Sequence, residues 1–176
     1  MITYRNLFEN EINRGLFHNF IRHQVVTKCW RKHNGEWIIE DDPFIDEWTE
    51  DEYEELILNL QETIRSGGLV YAAFYDGQFK GFVSVESKLF GTSQQYLDLT
   101  NIYVSEDMRK RGIGKVLFSA AKIWAKAHTA EKLYISAHSA VESQAFYKSM
   151  GCVEAKEYNQ EHVEKEPWDC QMECIL

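Results

Sequence analysis

Apolar residues along this chain recur in two rhythms, one suited to helices and one to strands. A short strand is expected at Ile2 to Arg5. Ile12, Leu16, Phe17, Phe20, Ile21 and Val25 follow at helical spacing, and Asn34-Gly35 ends that segment. The stretch Trp37 to Trp48 mixes aromatics with Glu40, Asp41, Asp42, Asp46 and Glu47 and is read as a loop. Thr49-Glu50-Asp51-Glu52 then has the form of a capping box, in which the threonine and the third-following glutamate satisfy free amides. Tyr53, Leu56, Ile57, Leu60 and Ile64 continue on one helical face until Ser66-Gly67-Gly68.

From Leu69 the rhythm changes. Leu69 to Tyr75 and Phe79 to Val85 flank Asp76-Gly77, a two-residue hairpin signal. Tyr96 to Val104 predicts a further strand, and Ile113, Val116, Leu117, Ala120, Ala121 and Trp124 an amphipathic helix over 113–127. Lys132 to Ala137 is a short strand; Ser139-Ala140-Val141-Glu142 opens another helix with a second capping box, and Gly151 closes it. Asp169 to Leu176 reads as a final strand. The order describes a mixed α/β sheet with one parallel crossover, strand 96–104, helix 113–127 and strand 132–137, which is expected to be right-handed. No repeat or linker divides the chain, so 1–176 is expected to form one domain.

Composition narrows the function. Hydrophobic and aromatic fractions of 44% and 14% exclude a disordered chain. A net charge of −9 argues against a general nucleic-acid binder, which needs a basic face. Without an apolar run of about 20 residues or a secretory start, the expectation is a cytoplasmic protein outside the membrane. Cys29, Cys152, Cys170 and Cys174 form no C-x-x-C pair and no cluster with histidine, so no metal site is expected. Cys170 and Cys174 should face one side of the last strand as small packing residues.

In this acidic chain, Arg109, Lys110, Arg111 and Lys115 crowd around Gly112-Ile113-Gly114 where a helix begins. A helix start offers unpaired amides and about half a positive charge, and glycines let an anion approach that backbone. The ligand expected there is a phosphate or pyrophosphate. No G-x-x-x-x-G-K-[ST] is present, which excludes a P-loop, and the third glycine of a dinucleotide fingerprint is missing.

Arg109-x-x-Gly112-x-Gly114 resembles the [Q/R]-x-x-G-x-[G/A] motif of the GCN5-related N-acetyltransferase (GNAT) superfamily. Asn101-Ile102-Tyr103-Val104-Ser105 is similar to that family's acetyl-CoA strand, and Ala145-Phe146-Tyr147-Lys148-Ser149-Met150-Gly151-Cys152 to its F-Y-x-x-x-G-F segment. Cys152 replaces the usual phenylalanine, and Ala140 stands where an asparagine touching the cofactor often occurs. The resemblance implies a twisted, mostly antiparallel sheet with flanking helices, acetyl-CoA as co-substrate, an amine acceptor and a possible homodimer. It also implies that Ile102, Tyr103, Val104, Arg109, Lys110, Arg111, Gly112, Ile113, Gly114, Lys115 and Phe146 hold the cofactor. The apolar phase slips from Leu97 and Leu99 to Ile102 and Val104, as at a β-bulge near Thr100-Asn101. An irregular strand buried on both faces would give the same pattern. On the resemblance, amides freed by a bulge would hold the pantetheine arm and the thioester carbonyl.

The attacking amine must lose a proton, and Asp98, an acidic residue in an apolar strand beside the bulge, is the candidate base; it also suits a salt-bridged position. Tyr147 is the candidate acid for the departing thiolate, a role many superfamily members give to this tyrosine; it also suits helix packing. His138 is a weaker candidate than either. Carboxylates and aromatics of 37–48 are expected to draw a cationic acceptor, with a solvated acidic loop as the alternative. The expected function is acetyl transfer to a primary amine of a small cationic molecule; a protein N-terminus or lysine as acceptor, or a non-catalytic coenzyme A module, are the alternatives.

Overall fold

The computed structural model describes residues 1–176. In chain order its first elements are β1 (Ile2–Asn6), β2 (Gln24–His33), β3 (Glu36–Asp46), α1 (Glu50–Arg65), β4 (Leu69–Tyr75) and β5 (Gln78–Val85). They are followed by β6 (Tyr96–Val104), α2 (Ile113–Ala127), β7 (Lys132–Ala137), α3 (Val141–Ser149), β8 (Val153–Glu154), α4 (Gln160–Lys165) and β9 (Cys170–Ile175). Seven strands form one sheet in the order β1-β4-β5-β6-β7-β9-β8, and β2 and β3 form a separate hairpin. Every pairing in the large sheet is antiparallel except β6 with β7, the two strands joined through α2. This is the mixed α/β sheet with one crossover that the pattern predicts.

The sheet is packed on both faces. Against one, α2 buries Ile113, Leu117, Phe118, Ala121 and Ala125 on Val83, Leu97, Leu133 and Ile135. Cys170 and Cys174 are both buried in this cluster, as their spacing predicts. On the other face Leu60 and Tyr53 of α1 join Ile12, Phe17, Phe20, Phe79 and Phe82. The capping box of α1 forms in both directions: Thr49 Oγ1 accepts from the Glu52 amide at 3.2 Å, and the Glu52 carboxylate accepts from the Thr49 amide at 2.7 Å. At the β4–β5 turn, Asp76 and Gly77 take φ of 48° and 78°, as a tight primed turn requires.

The N-terminal third differs from expectation. Residues 12–25 form no long helix: two short 3-10 turns, Glu9–Glu11 and Arg14–Phe17, lead into β2. Ile12, Phe17 and Phe20 are buried as helical spacing suggests, but Ile21 and Val25 are exposed. The helical rhythm arises because compact turns also return the chain to one core. The expected loop at 37–48 is largely β3, paired with β2 from Gln24↔Asp46 to His33↔Glu36. Asn34-Gly35 is the hairpin tip, with φ of 50° and 82°, and ends no helix. Pro43, a poor strand residue, lies where the register shifts between Val26 and Lys28, so its missing N–H breaks no regular ladder. The second capping box does not form either. Ala140 occupies the α3 N-cap without a side-chain bond, while Ser139 Oγ accepts from Arg31 Nη1 at 2.6 Å. β8 and α4 carry no apolar periodicity of their own; Asn159, which caps α4 by accepting from the His162 amide, is the one local sign of the helix.

Candidate active site

The site begins where two strands part. β6 and β7 pair only from Tyr96↔Lys132 to Asp98↔Tyr134, although β6 runs on to Val104 and β7 to Ala137. On its other side β6 stays paired with β5 to Gly81↔Val104. The β7-facing edge of Leu99–Val104 therefore lacks a strand partner inside the sheet. Backbone groups in such a position need another partner. The expected bulge is present: Ser84 opposes Asn101 and Val85 opposes Leu99, leaving Thr100 as the extra residue. Ser84 Oγ bonds Thr100 Oγ1 at 2.8 Å and accepts from Asn101 Nδ2 at 2.9 Å, which fixes the bulge.

The glycine turn lies at the C-terminal end of the same strand. Ser105 is fully buried; its amide donates to the Lys80 carbonyl, and its Oγ accepts from the Ile21 amide and donates to Asp107. The buried Lys80 ammonium donates to Asp107 and to the Asn19 carbonyl, both at 2.7 Å. This bracing sets the exit from β6. Lys110 and Gly112 take φ of 61° and 81°, and the first turn of α2 has no side-chain cap. A Cβ at Gly112 would meet nothing within 4 Å, so the left-handed backbone is what calls for glycine there. At Gly114 the reason is packing, because a Cβ would lie 3.2 Å from the Phe146 ring. Lys110, Arg111 and Lys115 are exposed and make no ion pair within the chain. Arg109 is different: it is partly buried, its Nε donates to the Val104 carbonyl at 3.2 Å, and burial and the Arg22 charge lower its pKa. Ile113 is buried, and its side chain is taken up by packing in the α2-side core.

Around the opening the candidate side chains separate. Tyr147 on α3 is buried, and burial pushes its phenol up, helped by the neighbouring Tyr103, Cys152 and Asp169. Tyr103 packs edge-on against Trp48 at 4.8 Å and beneath Arg22, and burial raises its phenol too. Ile102 and Val104 face the α2 side of the sheet. Asp98 accepts from or pairs with His162 of α4 at 2.6 Å, and its Oδ1 is buried without a partner. That contact raises the His162 pKa. His138 Nδ1 accepts from the Ala140 amide at 3.0 Å, so the ring is committed to the chain, and burial lowers its pKa. Sequence reasoning missed Asp169, which accepts from Ser136 Oγ at 2.9 Å; burial pushes its carboxyl up to about 6.

Residues 31–152 match the model of the acetyltransferase (GNAT) family. The chain belongs to this family. Among solved structures, one assigned as a streptothricin acetyltransferase from Bacillus anthracis str. Ames, in complex with acetyl coenzyme A, is similar at 19% identity and a TM-score of 0.72, covering 98% of this chain and 96% of that one. A nourseothricin acetyltransferase is similar at 15% identity and a TM-score of 0.71, covering 99% and 98%. The PaiA N-acetyltransferase of Thermoplasma acidophilum, in complex with coenzyme A, is similar at 17% identity and a TM-score of 0.62, covering 100% and 99%. No curated protein matches the sequence. No helix of this GNAT acetyltransferase is long and apolar enough to cross a membrane.

Proposed function

We propose that this acetyltransferase moves an acetyl group from acetyl-CoA to the primary amine of a small cationic molecule, by direct attack in a ternary complex. The observation that carries the reading is the parting of β6 from β7 directly above an uncapped helix start with unpaired cations. The free edge of Leu99–Val104 offers backbone donors to an extended amide-bearing arm, and the turn 109–115 offers amides and cations to a pyrophosphate. In this reading Ile102, Tyr103 and Val104 contribute through their backbone. Lys110, Arg111, Gly112, Gly114 and Lys115 contribute at the turn, and Arg109 and Ile113 shape it from inside. Phe146 serves by holding Gly114 and α2 against α3. Acetyl-CoA, when bound, supplies the thioester that the amine attacks.

Tyr147 is assigned the proton for the departing thiolate. Its phenol is held protonated by burial, and it makes no hydrogen bond within the chain that would compete. Asp98, the sequence candidate for the base, is engaged by His162, so its role in this proposal is to hold α4 against the sheet. A small-molecule acceptor is favoured over a protein by two structural neighbours named for streptothricin and nourseothricin acetylation.

Thiol release from acetyl-CoA, measured against polyamines, aminoglycosides and peptides, tests the reading. Turnover is expected with a polycationic small amine, and Tyr147→Phe should lower kcat about 100-fold, the lower end of the range for acid–base assistance, with acetyl-CoA affinity unchanged. Turnover of peptides alone would replace the acceptor class, and no binding of acetyl-CoA would end the proposal.

A further inference from the structure

On the sheet face turned away from α2, the site carries a run of polar groups. Leu133, Ile135 and Ala137 of β7 and Cys170 and Met172 of β9 join the α2 core, so the alternating Tyr134, Ser136 and Gln171 face the other way. The Tyr134 hydroxyl donates to Gln171 Oε1. Gln171 Nε2 donates to Ser136 Oγ at 3.0 Å, and Ser136 Oγ donates to Asp169 Oδ2 at 2.9 Å. The chain of donors ends on that carboxylate. Its second oxygen accepts from no group in the protein, and no lysine, arginine or histidine pairs with it within 4 Å.

Ser136, which holds Asp169, lies on the stretch of β7 beyond Tyr134 where β6 has already parted from it. The Asp169 charge acts on Tyr103 of β6 and on Tyr147 of α3, which pack against the cores on opposite faces of the sheet. The other ionisable groups around it are His162 of α4, Glu166 before β9 and Cys170 beside it. Glu166 and His162 act on it with opposite signs, and burial outweighs both. A carboxylate held on one oxygen by a fixed donor, free on the other, and near the phenol assigned to the thiolate can accept a proton where the amine arrives.

We propose that Asp169 takes the proton of the attacking amine, with Ser136 and Gln171 as the residues that position it. This rests on the acetyl-transfer reading. As the amine nitrogen bonds to the thioester carbon, its proton passes to the free Asp169 oxygen. The carbon–sulfur bond then breaks with its electron pair on sulfur, and the Tyr147 hydroxyl proton goes to that thiolate. Solvent afterwards takes the proton from Asp169 and returns one to Tyr147, so one acetyl group has moved and one thiol has formed.

Two measurements test it. In the full chain labelled with carboxyl-13C aspartate, the resonance lost in Asp169→Asn should titrate near pH 6 and should shift when coenzyme A is added. With spermidine as the probe amine, Asp169→Asn should lower kcat by about 100-fold with the Kd of acetyl-CoA within twofold of wild type. Asp169→Glu should restore part of the rate, and Ser136→Ala should move the inflection of the pH–rate profile with little change in KM. A carboxyl resonance indifferent to coenzyme A, or an Asp169→Asn enzyme turning over spermidine at the wild-type rate, would overturn the assignment. If wild type binds acetyl-CoA but leaves spermidine untouched, the cationic-acceptor reading falls and the titration alone decides for or against Asp169.

Discussion

The β2–β3 hairpin and the β6–β7 opening both gather carboxylates and aromatic rings, yet their charges are handled in opposite ways. On the hairpin nearly every acid meets a base across the strands or beside them. Asp42 pairs with Arg31 at 2.5 Å, Asp46 with Arg22 at 2.7 Å, Glu40 with His33 at 2.6 Å, Glu47 with His23 at 2.6 Å and Asp41 with Lys28 at 3.6 Å. At the opening, Asp169 and Glu166 have no such partner. A surface field that gathers cations needs uncompensated charge. The hairpin is thus an ion-paired arm, and in the proposed reaction the uncompensated carboxylates Asp169 and Glu166, rather than residues 37–48, are the ones that would attract a cationic acceptor.

Breaking the hairpin pairing at its most buried point should have the largest effect. Arg22 keeps only 6% of its side chain exposed, and its Nε is already without a partner. Asp46→Ala should cost about 3 kcal/mol, the scale for stranding a buried charge, read as a lowered urea midpoint. The opening is sharpened next by its ligand. Acetyl-CoA at about 100 times its Kd should stabilise the wild type by roughly 2.7 kcal/mol. Gly112→Val should remove most of that gain, because valine is strained at a φ of 81° and the turn would rearrange; a wild-type Tm unmoved by millimolar acetyl-CoA would contradict this.

Smaller effects separate the two regions further. The folded Asp169 carboxyl binds its proton more tightly than the ordinary value of 3.8, so stability should fall as pH rises from about 4 to about 6. Asp169→Asn should then be more stable than wild type by on the order of 1 kcal/mol at neutral pH, with the gap closing in acid, while turnover is lost. The Asp98–His162 contact has its own pH window. Its raised histidine pKa contributes stability below about pH 6.5 that fades as pH rises through the folded value. Asp98→Asn should flatten that part of the stability–pH curve, checked by urea denaturation across pH. Asp41→Asn should change stability by less than about 0.5 kcal/mol, since an exposed pair at 3.6 Å contributes little. It should also leave the Michaelis constant for a cationic amine unchanged.

Much of the fold was legible from β4 onward because there local signals and tertiary packing agree. Asp76-Gly77 suits only a tight turn, and the α2 positions 113, 117, 121 and 125 all meet the same core. The phase slip at Thr100 shows in the sequence because a bulge moves every later side chain to the other face. In the first 48 residues those levels diverge. Acidic residues and Pro43 disfavour a strand locally, whereas the cross-strand cations that stabilise β3 are 7 to 24 positions away, from His33–Glu40 to Arg22–Asp46. Asn34-Gly35 was the available hairpin signal, and the helical rhythm before it obscured its meaning.

The sequence by itself determined the glycine turn, the crossover around it and the family, because backbone conformation at a helix start depends on adjacent residues. Only the tertiary structure decided which ionisable groups remain free to act. Asp98 is spoken for by His162, 64 residues later, whereas one oxygen of Asp169 is held by Ser136 and the other has no partner within the chain. The reason is physical: a side chain's charge state and availability depend on burial and on partners supplied by other elements, and local sequence does not record either.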